Sequence, residues 1–435
     1  VASIGSIAIN QQNPDIVWVG TGEGNTRNTT SIGGGVFKSM DAGNTWVFMG
    51  LGESERINRI ALHPTNPDIA YVAAGGKLWG PNNERGIYKT TDGGKTWNSI
   101  LYVNEDTGAT DIKIDPSNPH KLFAAMWQFR RTPYSFTSKG PGSGLYVSHD
   151  GGDNWNRFEE EDGMPKGDLG KMVVSISPSN PQKIYALVEA EKSALIVSSN
   201  GGESWETAND SPGIANRPYY YTEVLVDPND ENTLFNIDMM VNKSNNGGKN
   251  FEPVSAVSCC TEPNAIHVDN HTMWINPYNS DHMMLGSDGG IAISRDGGNN
   301  WRFVANLPIS QFYHLALDND IPYNIYGGLQ DNGSWRGPSE VWEPEGIRNH
   351  HWLEYSMGDG FDTASDPRNS NIGYTMSQFG GFSRFNLETG SIKLIKPQTN
   401  DVDVPLRFNW SAGFALSPHN PDVVYYGSQY IHKST

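Results

Sequence analysis

Short apolar runs alternate with turn-forming residues along the whole chain. Residues 60–62 and 69–73 are two such runs, and the segment between them contains Pro64, Asn66 and Pro67. Proline fixes φ and lacks an N–H, so it ends a strand and begins a turn. This Pro turn returns nine times, mostly about fifty residues apart, at residues 13–14, 64–67, 118–119, 178–181, 228, 277, 322, 367 and 420–421.

An octapeptide of the form Ser/Thr-x-Asp/Asn-x-Gly-x-Thr/Asn/Ser-Trp/Phe lies between successive Pro turns. Its Asp or Asn can accept hydrogen bonds from nearby backbone amides, and its Gly supplies a positive φ, so it predicts a tight hairpin turn. We expect the aromatic residue to pack between sheets and the Asp to serve the turn and not catalysis. The six copies are residues 39–46, 90–97, 148–155, 198–205, 244–251 and 294–301.

Each repeat unit therefore contains four short strands, and one such antiparallel sheet per roughly fifty residues is typical of a propeller blade. The predicted fold is all-β, a β-propeller of four-stranded antiparallel blades. Residues 1–310 hold six blades with the octapeptide, and residues 311–435 hold blades without it and the start of a further blade. We favour one ring of seven or eight blades followed by the start of a second propeller within residues 311–435, with one ring of nine or ten blades as the alternative. Residues 432–435 align with residues 37–40, which predicts that the chain is a fragment of a longer protein.

Composition excludes several classes of function. The 435 residues contain 31 Lys and Arg against 49 Asp and Glu, a formal charge of −18, and nucleic-acid binding needs a basic face. No window holds about 18 consecutive apolar residues, so no membrane span is predicted. The two cysteines, Cys259 and Cys260, are adjacent. We expect ordinary loop thiols there, with a strained vicinal disulfide as the alternative.

The octapeptide repeat resembles that of the Asp-box, or BNR-repeat, propellers. That superfamily includes sialidases, two-propeller xyloglucanase-type hydrolases, ten-bladed sortilin-type receptors and photosystem assembly factors. Further stretches are similar to large secreted bacterial proteins described as sortilin-like or as glycosyl hydrolases. These stretches are residues 20–25, 78–86, 140–146 and 328–332.

The resemblance implies an exported protein, either secreted or on the bacterial cell surface, with the periplasm as an alternative. It also implies a further propeller or domain toward the C-terminus. A sialidase is disfavoured, because its Phe/Tyr-Arg-Ile-Pro motif is matched only by residues 129–133, Phe-Arg-Arg-Thr-Pro, with one residue too many. Xyloglucanase-type enzymes use a pair of Asp residues in cleft loops, and no local motif places that pair in this chain.

Long loops are expected on one face of the blades. In a four-stranded blade, the first and third turns share one side, and the second turn shares the other side with the connection to the next blade. The pattern places every long segment on this second side. These segments are residues 20–35, 74–86, 126–143, 328–350, 158–170, 206–220 and 252–270. Long loops on a rigid scaffold usually carry function.

Aromatic, acidic and basic residues on these loops suit the binding of a glycan or a polypeptide. The alternative is that they pack the loops together and plug the channel. The candidate ligand-binding residues are Glu23, Trp79, Glu84, Arg85, Trp127, Arg131, Tyr134, Tyr219, Tyr220, Glu223, Gln330 and Asp331.

Recognition without catalysis is the predicted function, and hydrolysis of an extracellular polysaccharide is the alternative. Glycoside hydrolysis needs two carboxyl groups about 5–5.5 Å apart for retention of configuration or about 6.5–9.5 Å apart for inversion. Sequence alone cannot choose the pair, so no catalytic residue is assigned. The candidate carboxylates are Glu23, Glu84, Glu189, Glu191, Glu223, Asp269, Asp331 and Asp359.

No cofactor and no metal site is predicted. His267, Asp269 and His271 share one side of an extended strand, but His267 and His271 would lie about 13 Å apart there, so polar lining of the channel is favoured over a metal site. His350 and His351 would point to opposite faces of a strand, which favours an ordinary polar pair over a metal site.

Overall fold

Antiparallel β-structure accounts for the whole architecture that the computed structural model describes. The described residues are 3–28, 30–221, 223–254, 266–307, 309–399 and 404–434, so Cys259 and Cys260 lie outside them. Among these residues, helical structure is limited to short 3-10 turns, at Gly52–Ser54, Glu160–Asp162, Asn349–His351 and Gln378–Gly380. None of the described segments forms a helix of the length and apolarity needed to cross a membrane.

The strands form successive sheets that we number as blades. Blade 1 consists of β1 (Ile4–Ile9), β2 (Val17–Thr21), β3 (Val36–Ser39) and β4 (Val47–Phe48). Blade 2 consists of β5 (Ile57–Leu62), β6 (Ala70–Ala74), β7 (Gly86–Thr90) and β8 (Asn98–Leu101). Blade 3 begins with β9 (Thr107–Asp115) and β10 (Asn118–Gln128), continues through a separate hairpin of β11 (Arg130–Arg131) and β12 (Phe136–Thr137), and ends with β13 (Gly144–Ser148) and β14 (Asn156–Arg157).

The next three blades repeat this order. Blade 4 consists of β15 (Met172–Ile176), β16 (Ile184–Val188), β17 (Ala194–Ser198) and β18 (Glu206–Asn209). Blade 5 consists of β19 (Glu223–Asp227), β20 (Asp230–Ile237), β21 (Val241–Ser244) and β22 (Glu252–Pro253). Blade 6 consists of β23 (Asn270–Ile275), β24 (Met283–Ser287), β25 (Gly290–Ser294) and β26 (Arg302–Phe303).

The last sheets lack the octapeptide. Blade 7 consists of β27 (Phe312–Leu317), β28 (Asn324–Leu329), β29 (Ser334–Pro338) and β30 (Leu353–Ser356). Blade 8 consists of β31 (Thr363–Asp366), β32 (Asn369–Ser377), β33 (Gly381–Asn386) and β34 (Ser391–Leu394). A three-stranded sheet follows, with β35 (Phe414–Leu416), β36 (Val424–Gly427) and β37 (Ile431–Ser434). The predicted all-β fold of four-stranded antiparallel propeller blades is confirmed.

The chain divides into two compact units. The first ends at Phe303 and contains blades 1 to 6, and the second begins at Val304 and contains the remaining sheets. That the second unit belongs to a second propeller stays a prediction. Within the first unit, an apolar cluster lies between each pair of consecutive blades. Between blades 1 and 2 it contains Trp18 and Val72, both fully buried, and Trp97 packs edge-on against Trp18 with ring centroids 6.1 Å apart.

Side chains within each octapeptide satisfy its own hairpin turn. In the first copy, the Ser39 hydroxyl donates to Asp41 Oδ1 at 2.7 Å, and the Gly43 N–H donates to Ser39 Oγ at 2.8 Å. Asp41 also accepts from the Thr45 N–H at 2.8 Å and from the Thr45 hydroxyl at 2.6 Å. The other copies repeat this arrangement, with Asn200 and Asn246 in place of the aspartate in copies four and five. The aspartates therefore serve turn geometry, as the sequence predicted.

These hydrogen bonds predict how the stability of the fold depends on pH. Hydrogen bonds from the residue four positions on lower the pKa of Asp41, Asp92 and Asp150 to about 2, from an ordinary 3.8. A carboxyl group whose pKa is depressed in the folded state stabilises fully above its unfolded pKa and loses that contribution as pH falls toward the folded value. We therefore expect the boxes to weaken between about pH 4 and pH 2. Urea unfolding across this pH range should show that Asp92→Asn loses less free energy of unfolding on acidification than the unchanged protein does. An identical pH dependence would contradict this reasoning.

Two details of the sequence interpretation are wrong. Trp46 of the first octapeptide is 43% exposed and does not pack between sheets, unlike Trp205 and Trp301, which are buried. The segment 328–350 is not one long connection between second and third strands, because β28 and β29 are joined by a short turn at residues 330–333. The long connection runs instead from β29 to β30.

Candidate active site

Loops of the first unit converge on an acidic cluster. We call the side that carries the connections from second to third strands, together with the segments before each first strand, the loop face. Glu23 lies in the connection from β2 to β3, Asp269 lies just before β23, and Asp288 lies in the turn between β24 and β25. An oxygen of Asp269 and an oxygen of Asp288 lie within 4.8 Å of each other. We call these three carboxyl groups the acidic cluster.

Backbone geometry directs Glu23 into the loop face. The preceding Gly22 has a φ of +92°, and a Cβ at that position would lie 2.1 Å from the carbonyl oxygen of Glu55. Only glycine tolerates both the positive φ and the close approach. The turn from β2 into Glu23 therefore depends on this glycine.

Hydrogen bonds to Asp288 favour its ionised form. Tyr220 donates its hydroxyl to Asp288 Oδ2 at 2.7 Å, and His271 Nε2 lies 2.8 Å from Asp288 Oδ1. Burial opposes ionisation, but the hydrogen bonds from His271 and Tyr220 and the positive charge of Arg27 outweigh it, so the pKa of Asp288 lies below its ordinary value. The neighbouring Tyr221 donates its hydroxyl to Asp269 in the same way.

The pKa of Glu23 is shifted in the opposite direction. Burial raises the pKa of Glu23, and the negative charge of Asp288 adds to this effect. A hydrogen bond from the Ser31 N–H, at 3.4 Å, and the positive charge of Arg27 only partly oppose the rise. Two neighbouring carboxyl groups thus have pKa values pushed in opposite directions, which is the arrangement that separates a general acid from an ionised base or nucleophile.

An open groove is lined in part by the connection from β2 to β3, which also carries Glu23. Its volume is about 300 Å³, and its lining includes Asn28, Trp79, Arg131, Tyr134 and Ser135. Trp79 is 48% exposed and Tyr134 is 90% exposed, so both aromatic faces are open to a ligand. We call this the aromatic groove, and it brings together three of the residues that the sequence singled out.

One loop joins the groove to the cluster. Arg131 donates to the Thr26 carbonyl at 2.6 Å on the groove side, and its guanidinium lies 4.2 Å from the centre of the Phe136 ring. On the cluster side, Arg27 donates to the Tyr220 hydroxyl at 3.1 Å. The loop that carries Glu23 therefore also forms a wall of the aromatic groove.

Several predicted ligand-binding residues instead hold the loops together. Trp127 is 1% exposed, and its indole N–H donates to the Ser138 carbonyl at 2.6 Å. Arg85 is also 1% exposed and donates to the carbonyls of Lys77 and Gly80 at 2.9 and 2.8 Å. Direct ligand contact is therefore the wrong role for these two side chains.

The other predicted residues of the first unit differ in exposure. Tyr219 packs against Phe136 with ring centroids 5.1 Å apart, and Tyr220 is buried at Asp288. Glu84 is exposed and accepts from the Asn82 amide at 3.3 Å. Glu84 lies outside the acidic cluster.

Glu223 belongs to an ion network and not to an open site. Arg59 of β5 lies 2.6 Å from Glu223 of β19 and 3.0 Å from Asp111 of β9, and Lys113 lies 3.5 Å from Asp111. We call these four residues the inner ion network. It connects the first strands of blades 2, 3 and 5.

In the second unit, Gln330 and Asp331 occupy the turn between β28 and β29. Gln330 donates its amide to Asp331 Oδ2 at 3.3 Å, and the Asp331 N–H donates to Asp359 Oδ1 at 2.8 Å. These hydrogen bonds stabilise the turn. A ligand-binding role for Gln330 and Asp331 stays a prediction.

The histidine pairs form hydrogen-bonded groups. The 3-10 turn Asn349–His351 brings the rings of His350 and His351 to one side, where the Nε2 atoms of His351 and His350 lie 3.0 and 3.5 Å from Glu343 Oε1. The strand geometry predicted for this pair is therefore wrong. The Arg348 N–H donates to His351 Nδ1 at 2.9 Å, which leaves the proton of the neutral ring on Nε2, facing Glu343. In the other group, His271 lies at Asp288, whereas the His267 ring nitrogen Nδ1 lies against the Val268 carbonyl at 2.7 Å.

Part of the repeat region matches a known protein family. The family model for sortilin, neurotensin receptor 3, matches residues 34–161, which contain the first three octapeptides. The four-stranded antiparallel blades and their box hydrogen bonds agree with that match. The chain is built of β-propeller blades, and its residues 34–161 are similar to the sortilin family.

The propeller is also similar to curated fungal proteins. A probable oligoxyloglucan-reducing end-specific xyloglucanase of Neosartorya fischeri is 22% identical over 238 residues, covering 49% of this chain and 28% of that protein. The oligoxyloglucan-reducing end-specific xyloglucanase of Emericella nidulans is 26% identical over 321 residues, covering 69% of this chain and 34% of that protein. The chain thus spans about a third of the length of these relatives.

Matches to solved structures have low TM-scores and low sequence identity. The GH74 xyloglucanase from Xanthomonas campestris has a TM-score of 0.42 and 14% identity, covering 98% of this chain and 69% of that one. YCF48 from Cyanidioschyzon merolae has a TM-score of 0.43 and 16% identity, covering 75% of this chain and 92% of that one.

Sequence reasoning missed Asp288. Asp288 lies in the stretch Ser287-Asp288-Gly289-Gly290, which has the composition of an ordinary hairpin turn. A search guided by loop length passes over such a short turn. The only available signal was its position, since a turn between second and third strands must lie on the loop face.

Proposed function

We propose that this sortilin-like propeller is a glycoside hydrolase that acts on an extracellular polysaccharide. Glu23 is the general acid, and Asp288 is the ionised carboxylate. The observation that carries the proposal is the hydrogen bonding of the acidic cluster: Asp288 accepts from Tyr220 and His271, which favours its ionised form, whereas burial raises the pKa of the neighbouring Glu23. The names of the two fungal relatives support hydrolysis over the non-catalytic recognition that the sequence favoured.

The reaction follows from the state of each group. The protonated Glu23 carboxyl donates its proton to the glycosidic oxygen as the bond from that oxygen to the anomeric carbon breaks. Asp288 stabilises the positive charge that develops at the anomeric carbon, either by attacking that carbon or by taking a proton from an attacking water. The water oxygen ends on the anomeric carbon, and Glu23 regains a proton by the end of the cycle. Tyr220 and His271 keep Asp288 ionised and fixed in place.

The aromatic groove provides a place for further sugar units. Trp79 and Tyr134 offer flat apolar faces, and Asn28, Arg131 and Ser135 offer hydrogen-bonding groups between them. Such a mixture suits a neutral sugar chain, since pyranose rings have one apolar face and a rim of hydroxyls. We propose that the chain being cleaved runs from the acidic cluster into this groove, and that the protein is exported to reach it.

A panel of polysaccharides tests the proposal. Xyloglucan, other β-glucans, xylan, mannan and a pectin are each incubated with the protein, and both reducing-end release and binding by affinity electrophoresis are measured. We expect release from at least one member of the panel, and proton NMR of the first product gives its anomeric configuration. Binding without any release would favour a recognition propeller instead.

Loss of the exposed tryptophan should affect binding more than chemistry. Trp79→Ala removes an aromatic face worth about 0.5–1.5 kcal/mol, so KM for the cleaved polysaccharide should rise about 2- to 12-fold with kcat nearly unchanged. Trp46→Ala is the matched control, because Trp46 is similarly exposed, at 43%, but lies at a box hairpin away from the loop face. Equal effects of the two substitutions on KM would contradict a sugar-binding role for the groove.

A further inference from the structure

A line of hydrogen bonds leads from Asp288 back to a buried lysine. Lys171, which is 7% exposed, donates its ammonium to the Tyr221 carbonyl at 2.5 Å and to Asn25 Oδ1 at 3.5 Å. The Asn25 amide nitrogen lies 3.2 Å from His271 Nδ1. His271 Nε2 then lies 2.8 Å from Asp288 Oδ1. We call Lys171, Asn25 and His271 the relay.

Donor and acceptor chemistry allows one arrangement of protons along the relay. An ammonium can only donate, so Lys171 requires the oxygen of the Asn25 amide to face it. The amide NH₂ group therefore faces His271, and because NH₂ only donates, His271 Nδ1 must accept. A neutral imidazole that accepts at Nδ1 carries its proton on Nε2, where it points at Asp288.

We propose that Lys171 and Asn25 are positioning residues that fix His271 in its Nε2-protonated tautomer, so that His271 always donates to Asp288. In the other tautomer, an imidazole lone pair would face the carboxylate, and Asp288 would lose one of its two side-chain donors. This role rests on the proposed function for its catalytic consequence, but the tautomer itself does not depend on hydrolysis.

Packing holds the ring of His271 in place but leaves its tautomer open. The Tyr220 ring meets it edge-on with centroids 4.7 Å apart, and the Tyr221 ring stacks on it at 5.6 Å. These contacts are the same for either tautomer, so they cannot select one. The selection must come from the hydrogen bonds at the two ring nitrogens, from Asn25 on one side and Asp288 on the other.

The burial of Lys171 supports a specific role. Burial lowers the pKa of Lys171 to about 8, against the opposing charges of Glu223 and Glu189. Placing a cation in such a site is unfavourable unless its contacts compensate. The contact with the Tyr221 carbonyl explains part of this compensation, and the contact with Asn25 gives the cation a connection to the acidic cluster.

The decisive experiment measures the tautomer where Asp288 no longer influences it. The full chain is labelled with ¹⁵N-histidine, the His271 signals are assigned with His271→Gln, and long-range ¹H–¹⁵N spectra report which ring nitrogen carries the proton. In Asp288→Ala we expect His271 to remain a single Nε2-protonated tautomer. Adding Lys171→Met or Asn25→Leu should give averaged ¹⁵N shifts that indicate a tautomer mixture.

A matched lysine provides the control. Lys139 also donates its ammonium to a carbonyl on the loop face, that of Ala190 at 3.4 Å, but it does not contact Asn25. Lys139→Met added to Asp288→Ala should leave the His271 spectrum unchanged. If Lys171→Met does not fold, Asn25→Leu still tests the same relay from its middle.

Two results would overturn the relay. One is an Nδ1-protonated His271 in the unchanged protein, and the other is a single Nε2-protonated tautomer that persists in both combined variants. If the protein hydrolyses a polysaccharide, Lys171→Met alone should also lower kcat about tenfold with KM unchanged. If Lys171 only stabilised the fold, its substitution would leave the His271 tautomer unchanged. If it hydrolyses none, the proposed function fails while the NMR result still decides the relay.

Discussion

Replacing Glu23 with glutamine is expected to lower kcat/KM for polysaccharide hydrolysis by about 10²- to 10⁴-fold, the usual contribution of a general acid. The substitution keeps the shape of the side chain but removes the transferable proton. A general acid works only while protonated, so the rate should fall as pH rises through the pKa of Glu23. Burial raises that pKa above the ordinary 4.5, which moves this alkaline limb to higher pH than for an exposed glutamate.

The pH profile gives this prediction its control. Asp288, with its lowered pKa, should set the acid limb, and Glu23→Gln should retain the acid limb while losing the alkaline one. Glu84→Gln alters an exposed loop-face carboxylate outside the cluster and should change neither limb. An aryl glycoside with a good leaving group needs little proton donation, so its hydrolysis should suffer much less. An alkaline limb that survives in Glu23→Gln would remove Glu23 from the mechanism.

Arg59→Met is expected to lower the free energy of unfolding by about 3 kcal/mol, the lower end of the range for breaking a buried ion pair. The change leaves Asp111, whose side chain is 1% exposed, with Lys113 as its remaining cation, and it leaves Glu223 without its partner in the ion pair. The lower end applies because the side chains of Arg59 and Glu223 keep 26% and 29% exposure.

Urea unfolding at neutral pH measures this loss. The triple variant Arg59→Met/Asp111→Asn/Glu223→Gln also removes the two carboxylate charges that Arg59 neutralised. It should recover a large part of the lost free energy of unfolding. Lys192→Met serves as the surface comparison, since Lys192 and Asp210 form an exposed pair and such pairs contribute about 0–1 kcal/mol. A loss for Arg59→Met no larger than that for Lys192→Met would show that the inner ion network does not hold the blades together.

The repeated hairpins were predictable because their interactions are local. Asp41 bonds to Ser39 and Thr45 within one octapeptide, so eight residues contain all the information that the turn needs. The Pro turns are equally local. Repetition of both elements then predicted four strands per blade, although it could not tell that Trp46 remains exposed.

The candidate site depends on contacts between distant parts of the chain. Asn25 and His271 are 246 positions apart, and Arg59 and Glu223 are 164 positions apart. Sequence reasoning placed the relevant loops on one face but could not tell which side chains point into a site. Trp127 and Trp79 look equivalent in sequence, yet one is buried beneath the loops and the other lines the groove.

Hydrolysis by Asp288→Asn on a cleaved polysaccharide tests the central claim most directly. Reducing-end release and the dissociation constant are measured side by side for this variant and the unchanged protein. We expect release to fall by about 10²- to 10⁴-fold while Kd changes less than about threefold, because asparagine keeps the shape of the side chain but not its charge. Release at an unchanged rate from Asp288→Asn would contradict the account.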